Sequence, residues 1–211
     1  MESIRRKYLN QNLKKLNLKG KIIDIGGKKY KKRSDPKLDL KFVNEFLYLN
    51  TDKSTNPDII ANAEKIPCES EYFDNILLIE VLEHLENPKK VLKECYRILK
   101  KNGVLYMSIP FLYPIHADPY DFQRWSPTKI NLVLKKLNFT NIQIYNMGGM
   151  YAVINDLIRF KIVNLNEGII KKILVRVYSV FILSFFMLLD KVFKKNKSIT
   201  TGYFVVAKIK S

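Results

Sequence analysis

The chain has 211 residues, 47% of them hydrophobic, and a formal net charge of +17. That apolar fraction excludes a wholly disordered chain, and the length fits one domain more readily than two. The charge is consistent with a polyanionic partner (nucleic acid, an anionic membrane surface or a phosphorylated substrate) and equally with a lysine-rich composition, so by itself it names no ligand.

The expected elements follow in chain order. Ile4, Tyr8, Leu9, Leu13 and Leu16 recur at roughly helical spacing over residues 3–18, and Gly20 suits the C′ position after such a helix. This stretch is basic but has no apolar core of a signal sequence, so no secretory signal peptide is expected and a reducing cytoplasm is. KIIDIGG (21–27) reads as a buried strand that exits into a tight glycine loop. A polar, basic loop (28–36) leads to a second strand in EFLYLNTD, ending at Asp52. Asp58 to Ala61 gives a short third strand, and Asn75–Ile79 lies in a fourth.

Asn87 can cap the next helix, with Pro88 at its first position. Val91, Leu92, Cys95, Ile98 and Leu99 form its apolar face, and Asn102-Gly103 is its expected stop. Cys95 therefore reads as a small buried hydrophobe; it and Cys68 have no metal-ligand spacing, and no metal site is read anywhere in the chain. VLYMSIP (104–110) is a fifth strand, and 110–126 a long loop rich in Pro, His, Asp and aromatics. Ser126 caps a helix over 127–137, FTNIQIYNM (139–147) is a sixth strand, 148–196 is mostly helical, and TGYFVVAKI (201–209) is the last strand. This alternation argues for parallel βαβ units.

The segments KIIDIGG, YLNTD, IIANAEKIP, FDNILLIEVLEHLENP and GVLYMSIPF occur in an order that resembles the class I S-adenosylmethionine-dependent methyltransferases of the type-11 kind. The resemblance covers roughly residues 20 to 147 and resumes at the last strand, with 80–110 its most specific part. It implies a single α/β domain: a Rossmann-like, seven-stranded, mostly parallel sheet with helices on both faces. An N-terminal helix (1–19) precedes a cofactor-binding core (20–147), and a basic apolar helical insertion (148–197) precedes the last strand (198–211).

By the same resemblance the cofactor is S-adenosylmethionine. Asp24, Gly26 and Gly27 would form the bend against its methionine end, where glycine permits close backbone approach. Asp52 would accept both ribose hydroxyls, Asn62 would contact the adenine amino group with Ala63 beside it, and Glu80 would line the methionine side. The glycine loop departs from the family, with two glycines followed by Lys28 and Lys29, and the short stretch before the next strand suggests a truncated first crossover helix. Glu83 and His84 belong to the Leu-Glu-His signature, where a structural role is expected for the histidine.

The segment PFLYPIHADPYDFQRWSP (110–127) resembles a pattern in the subset of these enzymes associated with bacterial glycan or cell-envelope biosynthesis. His116 is the candidate general base, with Asp121 or Asp118 to orient it, and Arg124 could bind an acceptor phosphate or carboxylate. The bland reading is that His116 and Asp121 brace the loop and Arg124 pairs with Asp121. Tyr113, Tyr120, Phe122 and Trp125 could wall the acceptor site or form the loop's own small core.

In IIKKILVRVYSVFILSFFMLLDKVFKKNK (169–197), the uncharged run Val177–Leu189 has 13 residues, short of the about 20 a membrane span needs. With Lys171, Lys172, Arg176, Lys191, Lys194, Lys195 and Lys197 around it, it reads either as a helix lying in an anionic membrane surface or as a buried or dimer-forming helix. The expected partner is a small-molecule, saccharide or envelope-precursor acceptor. The alternatives are a nucleic-acid methyltransferase and a non-catalytic adaptor. Ser108-Ile109-Pro110-Phe111 stands where a base-amine enzyme would carry an Asn-Pro-Pro-Tyr-like tetrad, which disfavours nucleic acid.

Overall fold

The computed structural model describes residues 2–29, 38–116, 119–193 and 198–210. One seven-stranded sheet runs through them in the order β3-β2-β1-β4-β5-β7-β6. Its strands are β1 (Lys19–Ile25), β2 (Phe42–Asn50), β3 (Ile59–Ile60), β4 (Phe73–Ile79), β5 (Leu99–Pro110), β6 (Phe139–Asn146) and β7 (Gly202–Ile209). The first five pair in parallel, while β7 inserts antiparallel between β5 and β6. This is the Rossmann-like, mostly parallel architecture that the family resemblance implied, with the parallel units that the element alternation suggested. Strand order reverses between β1 and β4, and in such sheets ligands bind in the crevice outside the carboxyl ends at that point.

Two helices cover one face. On α2 (Pro88–Ile98) the apolar stripe of Val91, Leu92, Cys95 and Ile98 is fully buried; on α3 (Pro127–Lys136) Ile130, Val133 and Leu134 play the same part. Burial of Cys95 pushes its thiol up to about 12, which leaves it an inert hydrophobe. On the other face α1 (Ile4–Leu13) packs Leu9 and Leu13 against Ile22, Leu77, Tyr106 and Phe204. No helix lies between β1 and β2 among the described residues, and α1 occupies this side of the sheet.

Several boundaries differ from the sequence expectation, each for a local reason. Gly20 does not follow a helix: it lies within β1 with φ +72°, where the pairing with β2 shifts register. β2 stops at Asn50, because the next residues turn into a short 3-10 helix (Lys53–Thr55) that Asp52 caps. α2 ends at Ile98, not at Asn102-Gly103. Its last carbonyls, those of Arg97 and Ile98, accept the backbone N–H groups of Glu71 and Tyr72, so the chain passes straight into β5. Asn102 then sits at φ +62° in the bulge between Leu99 and Val104. Ser126 caps α3 as expected, accepting the Lys129 N–H, with Pro127 in the first turn.

The segment before β7 is helical. It comprises α4 (Met150–Val163) and a continuous 24-residue α5 (Ile169–Val192) interrupted by a π-turn at Tyr178–Ile182. Two buried residues tie α5 to the body. The Tyr178 hydroxyl donates to Asn155 Oδ1 at 2.6 Å, and Asp190 accepts from Gly149 N–H, Ala152 N–H and the Tyr8 hydroxyl. Asp190 thus caps α4 from another helix.

Candidate functional site

A cavity of about 940 Å³ opens at the carboxyl ends of β1, β2 and β4. Asp24, Gly26, Gly27, Asp52, Asn62, Ala63 and Glu80, the seven residues put forward for cofactor binding, all line it. The glycine bend is held from both sides. Gly26 has φ +79°, and a Cβ there would stand 2.5 Å from Val81 Cγ2, so both backbone and space require glycine. A Cβ on Gly27 would run into the Asp24 carboxylate. The bend is pinned to β2 by Gly26 N–H, which donates to the Leu49 carbonyl at 2.7 Å.

Asn50 is a site residue that the sequence reading missed. Its amide donates to the carbonyls of Gly26 and Gly27 at 3.2 and 3.1 Å, while its oxygen accepts the Asp52 N–H at 3.0 Å. One side chain thereby fixes the glycine bend against the Asp52 turn. The signal was a polar amide closing an apolar strand, in YLNTD. Asp52 is exposed at the cavity rim and accepts the Ser54 N–H at 2.9 Å. Ser54's hydroxyl and N–H hold this carboxyl below its ordinary value, so it is ionised at neutral pH. Asn62 uses its amide oxygen for the Glu64 N–H at 2.8 Å, so the oxygen expected to meet an adenine amino group already has one donor.

Glu80 lines the cavity, but its carboxylate is engaged from behind. The Ser108 hydroxyl donates to Oε1 at 2.8 Å, and Arg5 from α1 forms an ion pair with Oε2. Arg5 is itself buried, with its guanidinium 4.1 Å from the centre of the Tyr113 ring, and burial pulls its pKa down. Asp156 of α4 sets the helix that carries it by accepting the N–H groups of Ile4 and Arg5 at 2.9 and 3.3 Å. In the sequence Arg5 is one basic residue among several, and only the fold singles it out.

The loop after β5 takes a course that corrects several acceptor-site expectations. Trp125 is buried in the main core and donates Nε1–H to Gln123 Oε1 at 2.7 Å, so it does not wall a substrate site. Arg124 forks onto Asp121, with Nη2 2.7 Å from Oδ2, which leaves it paired within the loop. That guanidinium holds the Asp121 carboxyl down at about 2. Asp121 also accepts the His116 N–H at 3.0 Å, and Tyr113 lies under Arg5. None of His116, Asp121, Arg124, Tyr113 or Trp125 is on the cavity wall. Asp118 lies outside the described residues. The wall instead takes Pro119, Tyr120 and Phe122 from this loop, together with His84.

His84 points Nδ1 at the Tyr120 carbonyl, 2.5 Å away, which braces the loop over the Leu82–His84 turn. His116 points Nδ1 at the Pro114 carbonyl, 3.2 Å away, and burial lowers its pKa. Neutral at pH 7, it faces Glu83 with Nε2, 3.8 Å from Oε1.

The sequence pattern of a methyltransferase domain family (Methyltransf_11) matches residues 38–107. An uncharacterized protein of Methanocaldococcus jannaschii is 33% identical over 96 residues, 40% of this chain and 47% of that protein. The ubiquinone/menaquinone biosynthesis C-methyltransferase UbiE of Vibrio campbellii is 28% identical over 148 residues, 52% of this chain and 57% of UbiE. The chain thus spans about half the length of these curated relatives.

Among solved structures, a SAM-dependent methyltransferase from Archaeoglobus fulgidus aligns with TM-score 0.57 at 13% identity, over 96% of this chain and 94% of that one. Phosphoethanolamine N-methyltransferase 2 of Haemonchus contortus, with S-adenosylhomocysteine bound, gives 0.58 at 13% identity, over 96% and 52%. The cyclase SpnF gives 0.62 at 10% identity, over 98% and 80%. The fold is that of the S-adenosylmethionine-dependent methyltransferases, and SpnF is a reminder that this fold also carries other chemistry.

Proposed function

We propose that this protein is a methyltransferase that uses S-adenosylmethionine to methylate a small-molecule acceptor. The observation that carries the reading is the convergence, on one cavity at the strand-order reversal, of the Gly26–Gly27 bend, an ionised Asp52 and Asn62. With S-adenosylmethionine bound, the bend would hold its methionine end, Asp52 would receive the ribose hydroxyls, and Asn62 and Ala63 would flank the base. Methyl transfer is an in-line displacement: an acceptor lone pair forms the new bond to carbon as the carbon–sulfur bond breaks, and the sulfonium leaves as a neutral thioether. The protein's task is chiefly to align the two partners and exclude water. Tyr120 and Phe122, 62% and 50% exposed at the cavity margin, supply apolar cover for that purpose.

For the acceptor, the loop 110–127 favours a saccharide or envelope precursor, through its resemblance to the glycan-associated subset. For the location, α5 is the supporting observation. Its exposed stripe of Ile169, Ile173, Val177, Val180, Phe181, Leu188 and Val192 faces away from the Tyr178 and Asp190 anchors, with Lys172, Arg176 and Lys191 exposed alongside. By length and composition α5 is the one helix among the described residues that suits a membrane span. Its two anchors to α1 and α4 support a helix lying along an anionic membrane surface, at the cytoplasmic face, over one that crosses it. Lys194, Lys195 and Lys197 lie outside the described residues.

Titration calorimetry with S-adenosylmethionine and its demethylated product tests the donor assignment, and no heat at millimolar ligand overturns it. Labelled cofactor offered to fractionated lipids, glycans and RNA identifies the acceptor. Label in RNA alone would favour the nucleic-acid reading that the +17 charge suggests. Binding without transfer to any fraction would favour an adaptor.

A further inference from the structure

We propose that Glu83, His84 and His116 form a binding site for a divalent metal ion of the zinc class. The chain has two histidines, one in the turn after β4 and one in the loop after β5, and the fold brings both rings together edge-on, 5.4 Å between centres. Glu83 Oε1 lies 3.7 Å from His84 Nε2 and 3.8 Å from His116 Nε2. All three donor atoms fall within 4.8 Å of one another. A tetrahedral zinc centre with bonds of about 2.0–2.1 Å places its donors about 3.3 Å apart, so the two Glu83–histidine separations must each close by about half an ångström and the histidine pair, within 4.8 Å, by up to about 1.5 Å.

The second shell is already arranged for ligation. A carbonyl can only accept, so the contacts of His84 Nδ1 with Tyr120 O and His116 Nδ1 with Pro114 O put the ring proton on Nδ1 in both histidines. Each Nε2 then carries its lone pair toward Glu83. Metal-bound histidines characteristically hold their other ring nitrogen in this way.

Glu83 supplies the independent observation. It is fully buried, and neither carboxylate oxygen has a hydrogen-bond donor. A buried acidic group without donors calls for an explanation, because desolvation is expensive and the nearby charges offset it only in part. The two neighbouring guanidinium groups do not provide it: Arg5 pairs with Glu80, and Arg124 with Asp121. A cation among Glu83, His84 and His116 satisfies both the carboxylate and the two lone pairs. Two imidazoles with one carboxylate suit zinc, cobalt, manganese or ferrous ions and are poorly matched to magnesium, which prefers oxygen. Through His84 the ion would adjoin the cavity, where an acceptor oxygen could complete its coordination. That last placement rests on the methyl-transfer reading, whereas the ligation does not.

The test uses the full chain without a polyhistidine tag, dialysed against Zn2+, Co2+ or Mg2+ and analysed for bound metal. About one equivalent of zinc, and visible cobalt absorption of a low-coordinate centre, are expected, with no retained magnesium. His116→Ala and Glu83→Gln should each weaken zinc binding by at least on the order of 10-fold, while Cys68→Ser leaves it unchanged. Substoichiometric zinc without the cobalt spectrum overturns the proposal, as does full binding by both His84→Ala and His116→Ala. If variants fail to fold, stoichiometry and spectrum of the unaltered chain decide. Calorimetry with S-adenosylmethionine on the same samples separates the two readings: cofactor binding without metal sinks only the metal site, and metal without cofactor binding sinks only the methyltransferase.

Discussion

Arg5, in the first turn of the first helix, forms a buried ion pair with Glu80 at the carboxyl end of β4. It couples the N-terminal segment to the wall of the cofactor cavity. Removing one partner leaves the other charge buried and unpaired, which costs about 3–5 kcal/mol. Arg5→Ala should therefore lower the denaturation midpoint strongly. The double change Arg5→Met with Glu80→Gln should recover much of the loss. Urea unfolding of the three chains checks this, and equal losses in the single and double variants would refute the pairing argument.

Asn50 and Asp52 act differently on cofactor binding. Asn50→Ala releases two carbonyls and one N–H that hold the glycine bend and the Asp52 turn. Asp52→Asn keeps the shape and removes the charge. A hydrogen bond to a charged group contributes about 1.5–3 kcal/mol, so Asp52→Asn should raise the Kd for S-adenosylmethionine roughly 10- to 100-fold. Asn50→Ala should raise it by about 10-fold and also lower the melting temperature. Calorimetric titration measures both; an unchanged Kd in Asp52→Asn would remove Asp52 from the ribose.

Asp156 gives the protein a pH dependence. Its burial lifts the carboxyl from its ordinary value to about 6, against the pull of the Ile4 and Arg5 N–H groups. Between about 4 and 6 the native state then holds a proton that the unfolded chain has lost, so stability falls as pH rises through that window and this contribution is flat above it. The effect is on the order of 2–3 kcal/mol. Unfolding free energies at a series of pH values should show a downward slope that Asp156→Asn lacks; matching slopes would contradict the shift.

The α5 stripe makes a membrane prediction. The chain should co-sediment with vesicles containing anionic lipid, bind neutral vesicles less, and release as salt is raised. Phe181 is 68% exposed and contributes nothing to the core, so Phe181→Asp should abolish vesicle binding while the chain still folds and binds cofactor. A doubled mass in solution that Phe181→Asp halves, without vesicle binding, would show that a second copy covers the stripe instead.

Much of this molecule was legible in its residues. The apolar run ending in the Gly26–Gly27 bend, the Val91–Leu92–Cys95–Ile98 stripe and the Ser126-Pro127 helix start are local patterns, and local patterns set strands, helices and caps. The seven residues put forward for cofactor binding were within reach because a strand's carboxyl end and the turn after it are adjacent in sequence. The acceptor side was not legible in the same way. The residues left Trp125 open between substrate wall and core, and Arg124 between acceptor and Asp121; the fold made the first core and the second paired, because a loop's side chains are assigned by what packs beneath them.

The sequence by itself determined a parallel α/β sheet, a glycine bend with an acidic residue at the neighbouring strand end, and an apolar helical insertion before the last strand. Hydrophobic periodicity and turn chemistry act over a few residues and need no partner to be read. Tertiary structure alone decided that Arg5 neutralises Glu80, that Asp190 caps a helix it does not belong to, and that the two histidines meet at Glu83. Those contacts join residues far apart in the chain, and burial makes each matter: only where water is excluded does a charge depend so strongly on which partner the fold delivers.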